Sequence, residues 1–420
     1  MLKTKGINTS LSFGKNKMTE KGLVDYFEKF LTKKSLFRNK TALQANYTPD
    51  NIIHRDEQIQ QLANILAPCL RGDKPSNIFI YGKTGTGKTL VAKHVSGQLT
   101  KIAEERDLPI KILYINCKLK KIADTEYRLV AQLAREFGTM IPPTGLPTDE
   151  VYNIFYRILE KENKGVILIL DEIDQLIGKA GNDILYNLTR INAELKKTQI
   201  TLVGISNDLM FTDHLDPRVK SSLSEEELVF PPYNALQIQK ILKQRAAESF
   251  REDVMAQGVI EKCAAFAARE HGDARRALQL LRVAGELAER GGEESIYLKH
   301  LDSAEEKIER DRIIDIITTQ PKQYHATLYS VFSISQNKKE QIFTGEVYEL
   351  YKKICTKTDL RPLTQRRISD ILAEMDMLGI INAKVISKGR YGRTREISLS
   401  TTGAINQRIK KILEDQLGFA

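Results

Sequence analysis

Apolar positions fall into two regimes along most of the chain. Up to about residue 230, short aliphatic runs at 78–81, 110–115, 166–170, 201–205 and 228–230 alternate with stretches of helix-like spacing, such as 90–99. Unbroken runs of this kind suit strands buried on both faces. Their alternation with helices predicts an α/β fold whose parallel sheet offers a ligand site at the C-terminal ends of its strands. Beyond Phe230-Pro231-Pro232-Tyr233 the strand-like runs stop and the spacing is helical to about residue 317, so a small helical domain is expected to follow the sheet. Gly272-Asp273-Ala274-Arg275-Arg276 opens one of its helices.

A third pattern begins near residue 344. Val347, Leu350, Tyr351 and Ile354 recur at i, i+3, i+4 and i+7, as do Ile368, Ile371, Leu372 and Met375, so each set lies on one helix face. The second helix is predicted over 364–378, with Pro362 before it, Thr364 as its N-cap and Gly379 at its end. Gln365, Arg366 and Ser369 then lie off its apolar face. Strand-like runs at 380–386 and 394–399 flank Lys388-Gly389-Arg390-Tyr391-Gly392-Arg393 as a hairpin with a basic tip. Two helices followed by such a hairpin predict a winged helix-turn-helix. As a DNA reader it would place Gln365 and Arg366 in the major groove and set Lys388, Arg390 and Arg393 against the phosphate backbone. A protein-docking wing is the other use of this pattern.

With 420 residues, 41% of them hydrophobic and 28% charged, the chain suffices for two or three domains with buried cores. No apolar run approaches the roughly 18 residues of a membrane span, and residues 1–40 lack the central apolar stretch of a secretory signal. A cytoplasmic protein is expected. Cys69, Cys117, Cys263 and Cys355 show neither a CxxC pair nor zinc-site spacing and are expected as reduced, mostly buried thiols. The net charge of +10 is unevenly spread: residues 1–50 carry ten Lys/Arg against four Asp/Glu, and residues 316–420 carry seventeen against ten. Positive ends around a slightly acidic middle point to a polyanion gripped away from the central machinery. Residues 1–20 read as a flexible basic tail.

The central chemistry follows the first strand. Gly82-Lys83-Thr84-Gly85-Thr86-Gly87-Lys88-Thr89 fills the pattern GxxxxGK[ST] and passes at Leu90 into a helix. Glycines let successive N–H groups turn in around phosphates, and the helix adds its positive end. Lys88 is expected at the β- and γ-phosphates of ATP or ADP and the Thr89 hydroxyl on Mg²⁺. The aliphatic run 166–170 ends in Asp171-Glu172-Ile173-Asp174. There Asp171 suits the Mg²⁺ shell and Glu172 the polarisation of an attacking water. Asn207, after the run 201–205, either orients that water and senses the γ-phosphate or is an ordinary turn residue. Arg275 or Arg276 is placed to touch the γ-phosphate from the helical domain; a solvent-facing arginine is the alternative.

Taken together, these residues resemble the AAA+ ATPases, and more narrowly the archaeal initiators related to origin recognition complex subunit one and cell-division-control protein six. The resemblance spans about residues 26–399. It rests on NIIHRDEQ (51–58), GKTGTGKT (82–89), LILDEID (168–174), LYNLTRIN (185–192), LDPRVKSSL (215–223), FPPYNALQIQKIL (230–242) and GDARRALQLLRVAGELA (272–288). It implies an AAA+ domain at 21–230, a helical lid at 231–315 and a winged-helix DNA-binding domain at 316–420. Ile53 and His54 would lie near the adenine, Asn207 would be the first sensor and Arg275 the second. Residues 124–157 would be the helical insert of initiators, with Pro142 and Gly145 in a loop that meets DNA. One departure stands out: where eukaryotic initiators typically have Ser-Arg, this chain has Ser221-Ser222, leaving Arg218 as the nearby candidate for an arginine finger. The resemblance thus implies an ATP-regulated initiator that binds double-stranded origin DNA and helps recruit the replicative MCM helicase. It would hydrolyse ATP slowly as a switch, with other initiator copies as further partners and the nucleoid as its place of action. A transcription regulator with a structural nucleotide, and a loader that chooses no DNA sequence, are the competing readings.

Overall fold

The five aliphatic runs form β1 (Asn77–Tyr81), β2 (Ile110–Asn116), β3 (Gly165–Asp171), β4 (Gln199–Ser206) and β5 (Glu225–Val229), which pair in parallel in the order β2-β3-β4-β1-β5. Side chains alternate across the pleat. Ile78, Ile80, Ile167, Ile169, Val203 and Ile205 therefore join one core, under α1 (Asp56–Leu66) and α2 (Lys88–Glu105). Phe79, Tyr81, Leu168 and Leu170 join the other, under α3 (Glu126–Glu136), α4 (Thr148–Glu162), α5 (Ile173–Ala180), α6 (Asp183–Glu194) and α7 (Pro217–Leu223). These statements rest on a computed structural model that describes Glu28 and residues 34–419, apart from 119–124, 143, 163, 224, 338–340, 388–392 and 401–402. The expected tail at 1–20 lies outside the described residues.

Strand β5 differs from its expected position at 228–230, starting three residues earlier in Glu225-Glu226-Glu227. As the sheet edge it pairs only with β1, so Glu226 and Glu227 reach solvent while Leu228 is buried. Helix α4 continues past residue 157, the expected end of the insert, to Glu162, because Val151, Phe155 and Leu159 keep one apolar stripe against the core. Glu126 at the start of α3 accepts from Tyr152 Oη (2.6 Å) and Asn187 Nδ2 (2.7 Å), tying α3 and α4 to α6.

The helices α8 (Ala235–Ser249), α9 (Val259–Arg269) and α10 (Ala274–Gly291) form the helical part that follows the sheet. Asn234 and Gln237 close a capping box on α8, and the Asp273 carboxylate caps α10 by accepting from the Arg275 and Arg276 N–H groups. A segment N-terminal to the sheet straps these helices. The Arg38 and Asn39 N–H groups donate to the Ser249 carbonyl, Phe37 packs on Phe250, and Lys40 pairs with Glu286 at 2.7 Å.

The chain divides into two compact units, Met1–Leu301 and Asp302–Ala420, with α11 (Leu298–Thr319) running through the boundary. The second unit holds α12 (Lys322–Asn337), β6 (Ile342–Phe343), α13 (Thr344–Lys357), α14 (Gln365–Met377), β7 (Ile381–Ser387), β8 (Arg393–Leu399) and α15 (Gly403–Leu417). Thr364 caps α14 and Ile368, Ile371, Leu372 and Met375 are its buried face, as expected. Its antiparallel sheet has the order β6-β8-β7, one strand more than the anticipated hairpin. Helix α15, also unanticipated, buries Ile409, Leu413 and Leu417. All four cysteines are buried and unbridged. Among the described residues no helix is long and apolar enough to cross a membrane.

Candidate functional site

The loop between β1 and α2 turns through left-handed backbone at Gly85 (φ +75°) and Gly87 (φ +91°), which a side chain would strain. A Cβ on Gly85 would also sit 1.7 Å from Asp273 Oδ1, and the Ala274 N–H donates to the Gly85 carbonyl at 3.2 Å, so the start of α10 rests on this loop. Lys88 folds back beneath it, donating from Nζ to the carbonyls of Gly82 (2.6 Å) and Lys83 (2.8 Å) and to Asn207 Oδ1 (2.9 Å). Those acceptors are uncharged. Burial, reinforced by the nearby Arg275 guanidinium, accordingly lowers the Lys88 ammonium to about 8. Thr86 caps the turn through its hydroxyl to the Lys83 carbonyl (2.8 Å), whereas the Lys83 and Thr84 side chains are exposed.

At the end of β3 the buried Asp171 carboxylate gathers three donors. Its Oδ2 accepts from Thr89 Oγ1 (2.9 Å) and Tyr114 Oη (2.6 Å), and its Oδ1 from the Glu172 N–H (3.0 Å). Glu172 adopts a left-handed conformation (φ 55°, ψ 47°), a strained choice for a side-chain-bearing residue, and pairs with Lys118 at 3.5 Å. Asp174, in the first turn of α5, accepts from the Ser206 hydroxyl (3.2 Å) and the Asn207 N–H (3.4 Å). It thereby fixes the strand end that presents Asn207 to Lys88. The Thr89 hydroxyl and Asp171 carboxylate place two oxygen ligands side by side, a donor set that fits a hard cation such as Mg²⁺.

Beside this polar corner opens a cleft lined by Ile53, Gly85, Gly87, Thr89, Leu90 and Arg275. His54 takes a left-handed conformation (φ 62°), and burial lowers its pKa. Of the two candidate arginines, Arg275 faces the cleft, while Arg276 pairs with Glu270 at 2.9 Å. Several lining residues carry no site role legible in the sequence: residues 44–49, Tyr233 and Leu278. Tyr114 and Asp174 were likewise missed. The only signal for Tyr114 is a polar-tipped residue two positions before the end of a strand flanking the acidic one. Arg218 is exposed and doubly bonded to Asp216, with Nε to Oδ1 at 3.1 Å and Nη2 to Oδ2 at 3.0 Å.

In the second unit, exposed Gln365 and Arg366 open α14 and share a shallow groove with Ser369, Val385, Thr394 and Arg395. Arg393 begins β8, its backbone paired with Ser387; Lys388 and Arg390 lie outside the described residues. The loop before α4 in the first unit exposes Pro142, whose carbonyl accepts from Tyr127 Oη at 2.6 Å, and Gly145, at φ +112°.

Comparison with known proteins extends this picture over most of the chain. Family models match residues 71–209 (AAA domain), 239–306 (Cdc6 AAA+ ATPase-type lid domain) and 315–405 (CDC6, C terminal winged helix domain). An ORC1-type DNA replication protein of Thermococcus onnurineus is 52% identical over 389 residues, covering 92% of this chain and 93% of that protein. One from Pyrococcus furiosus is 53% identical over 384 residues, covering 90% and 91%. The structure of the Aeropyrum pernix ORC1 protein in complex with DNA superposes with a TM-score of 0.80 at 44% identity, covering 91% of this chain and 98% of that one. With a parallel-sheet nucleotide fold, a lid and a winged helix in this order, the chain belongs to the ORC1-type DNA replication proteins of the AAA+ ATPase class.

Proposed function

We propose that this protein is an ATP-regulated initiator that binds double-stranded origin DNA, helps recruit the replicative MCM helicase, and uses slow ATP hydrolysis as a switch. One observation carries the nucleotide part. Lys88 is hydrogen-bonded to Asn207 and Thr89 to Asp171, and Thr89 lines a cleft that Arg275 also lines. In this reading Lys88 and the loop N–H groups bind the phosphates, and Arg275 meets the γ-phosphate from the lid. Ile53 and His54 border the adenine, and Thr89 and Asp171 hold Mg²⁺. When bound, that ion neutralises charge developing on the β- and γ-phosphates. Glu172 polarises the attacking water, which requires its carboxylate to leave Lys118, and Asn207 orients that water. Arg218, held by Asp216, is free to act as a finger toward a second copy only after that pair opens. Both features favour slow turnover.

The DNA part is supported by the likeness to a relative solved with DNA and by the exposed basic start of α14. Gln365 and Arg366 read base edges, the wing residues Lys388, Arg390 and Arg393 grip phosphates, and the loop with Pro142 and Gly145 adds a contact from the insert. The expected domain limits, 21–230, 231–315 and 316–420, belong to this proposal. Arg393→Ala should weaken binding to every duplex and lower the salt slope by about one, whereas Arg366→Ala should alter sequence preference. Duplex affinity unchanged in both variants at moderate salt would remove the winged unit as the DNA grip. Genome-wide mapping of bound DNA against the replication start, and co-purification with the hexameric helicase under ATP but not ADP, test the origin and helicase assignments.

A further inference from the structure

Arg55 precedes α1 and is 3% exposed. A buried guanidinium is costly unless its donors and charge are satisfied, yet no carboxylate among the described residues pairs with it. Its donors instead reach backbone carbonyls: Nη1 lies 3.5 Å from the adjacent His54 O, and the two shorter bonds go to different parts of the chain. Nε donates to Thr86 O in the phosphate loop at 2.9 Å, and Nη2 to Pro231 O, in the linker from sheet to lid, at 2.6 Å. The cation lies 3.9 Å from the centre of the Tyr233 ring and 5.4 Å from that of Phe230, so the faces of two linker aromatics share its charge. Tyr233 also borders both the loop and the lid. A Cβ on Gly87 would lie 2.8 Å from its hydroxyl, and one on Gly272, just before α10, 2.3 Å from its carbonyl.

Holding the Thr86 carbonyl fixes the peptide plane it shares with Gly87 and leaves the Gly87 N–H pointing the opposite way within that plane. Gly87 itself lines the cleft. Any movement of the loop on taking up a phosphate therefore pulls on the same fork that holds Pro231 and Tyr233.

Building on the nucleotide reading above, we propose that Arg55 is a positioning residue that sets the phosphate loop for anion binding and couples the loop to the lid. A lysine would keep the charge but lacks the planar fork that spans both carbonyls.

The test compares the full-length protein with Arg55→Lys and Arg55→Met by calorimetric titration with Mg-ADP, and by amide hydrogen exchange over residues 82–89 and 272–280 with and without saturating Mg-ADP. Wild type should show protection of both segments. The variants should bind Mg-ADP at least tenfold more weakly, and at saturation should protect the loop while losing at least threefold of the lid protection. Binding within twofold of wild type, or weaker binding with full lid protection at saturation, overturns the proposal. So does a lowered unfolding midpoint as the sole change, the mark of a structural peg. If Arg55→Met does not fold, Arg55→Lys decides by the same criteria. Failure of the wild type to bind Mg-ADP would instead refute the nucleotide reading.

Discussion

Lys88 gives the site a measurable proton signature. Burial and the Arg275 charge lower it from the ordinary 10.5 to about 8, with uncharged acceptors around its Nζ. Between about 8 and 10.5 the unfolded chain thus holds more protons than the folded one, so Lys88 makes stability rise with pH across that window; below it, the folded state carries the full cost of the buried charge. A polyphosphate at Nζ supplies the missing negative charge and keeps the lysine protonated. At about pH 8.5 the free protein holds roughly a quarter of a proton on Lys88, so binding should take up roughly three-quarters of one. Calorimetric titration with Mg-ADP in two buffers of different ionisation enthalpy reads this directly, since the observed heats differ by the protons taken up. At about pH 6.5 Lys88 is charged before and after binding, and its share falls to nearly zero. Lys88→Arg keeps a permanent cation and should abolish the uptake at the higher pH. An uptake below roughly 0.2 proton at about pH 8.5, or the same uptake in Lys88→Arg, would refute the argument that phosphate replaces neutral carbonyls around a depressed lysine.

Three further outcomes follow from the packing. Tyr114→Phe removes the 2.6 Å donor to Asp171 and should raise the Mg²⁺ concentration for half-maximal binding of a fluorescent ADP by about 3- to 10-fold; an unchanged midpoint would mean that Thr89 and the Glu172 N–H alone hold the carboxylate. Gly272→Ala drives a Cβ to 2.3 Å from the Tyr233 carbonyl at a left-handed φ of +71°, and chemical denaturation should show a loss of about 1–3 kcal/mol in the first unit. Thr364→Ala removes the cap that accepts from the Arg367 N–H and should cost the second unit about 1 kcal/mol by the same measurement.

The sequence by itself determined the elements and the order of their chemistry. Strands buried on both faces must be aliphatic throughout, so β1, β3 and β4 are legible as runs; a phosphate loop must be glycine-rich, and two acidic residues closing a buried strand mark the corner proposed to hold a cation. The period of apolar residues likewise fixed α13 and α14 and the buried face of each. Local pattern fell short where a residue's role is set by a distant neighbour. The glutamates of β5 form a strand only because β1 offers an edge, and the short β6 exists only through its pairing with β8. Nothing near Arg55 or Tyr114 in the chain announces that one reaches a carbonyl 176 residues away and the other a carboxylate 57 residues away. Nor does anything local bring residues 44–49 to the rim of the cleft. Such contacts follow from strand order and from the docking of the lid helices on the phosphate loop. Periodicity reports which face of an element is buried, but only the folded chain decides what that face, or a polar side chain beside it, meets.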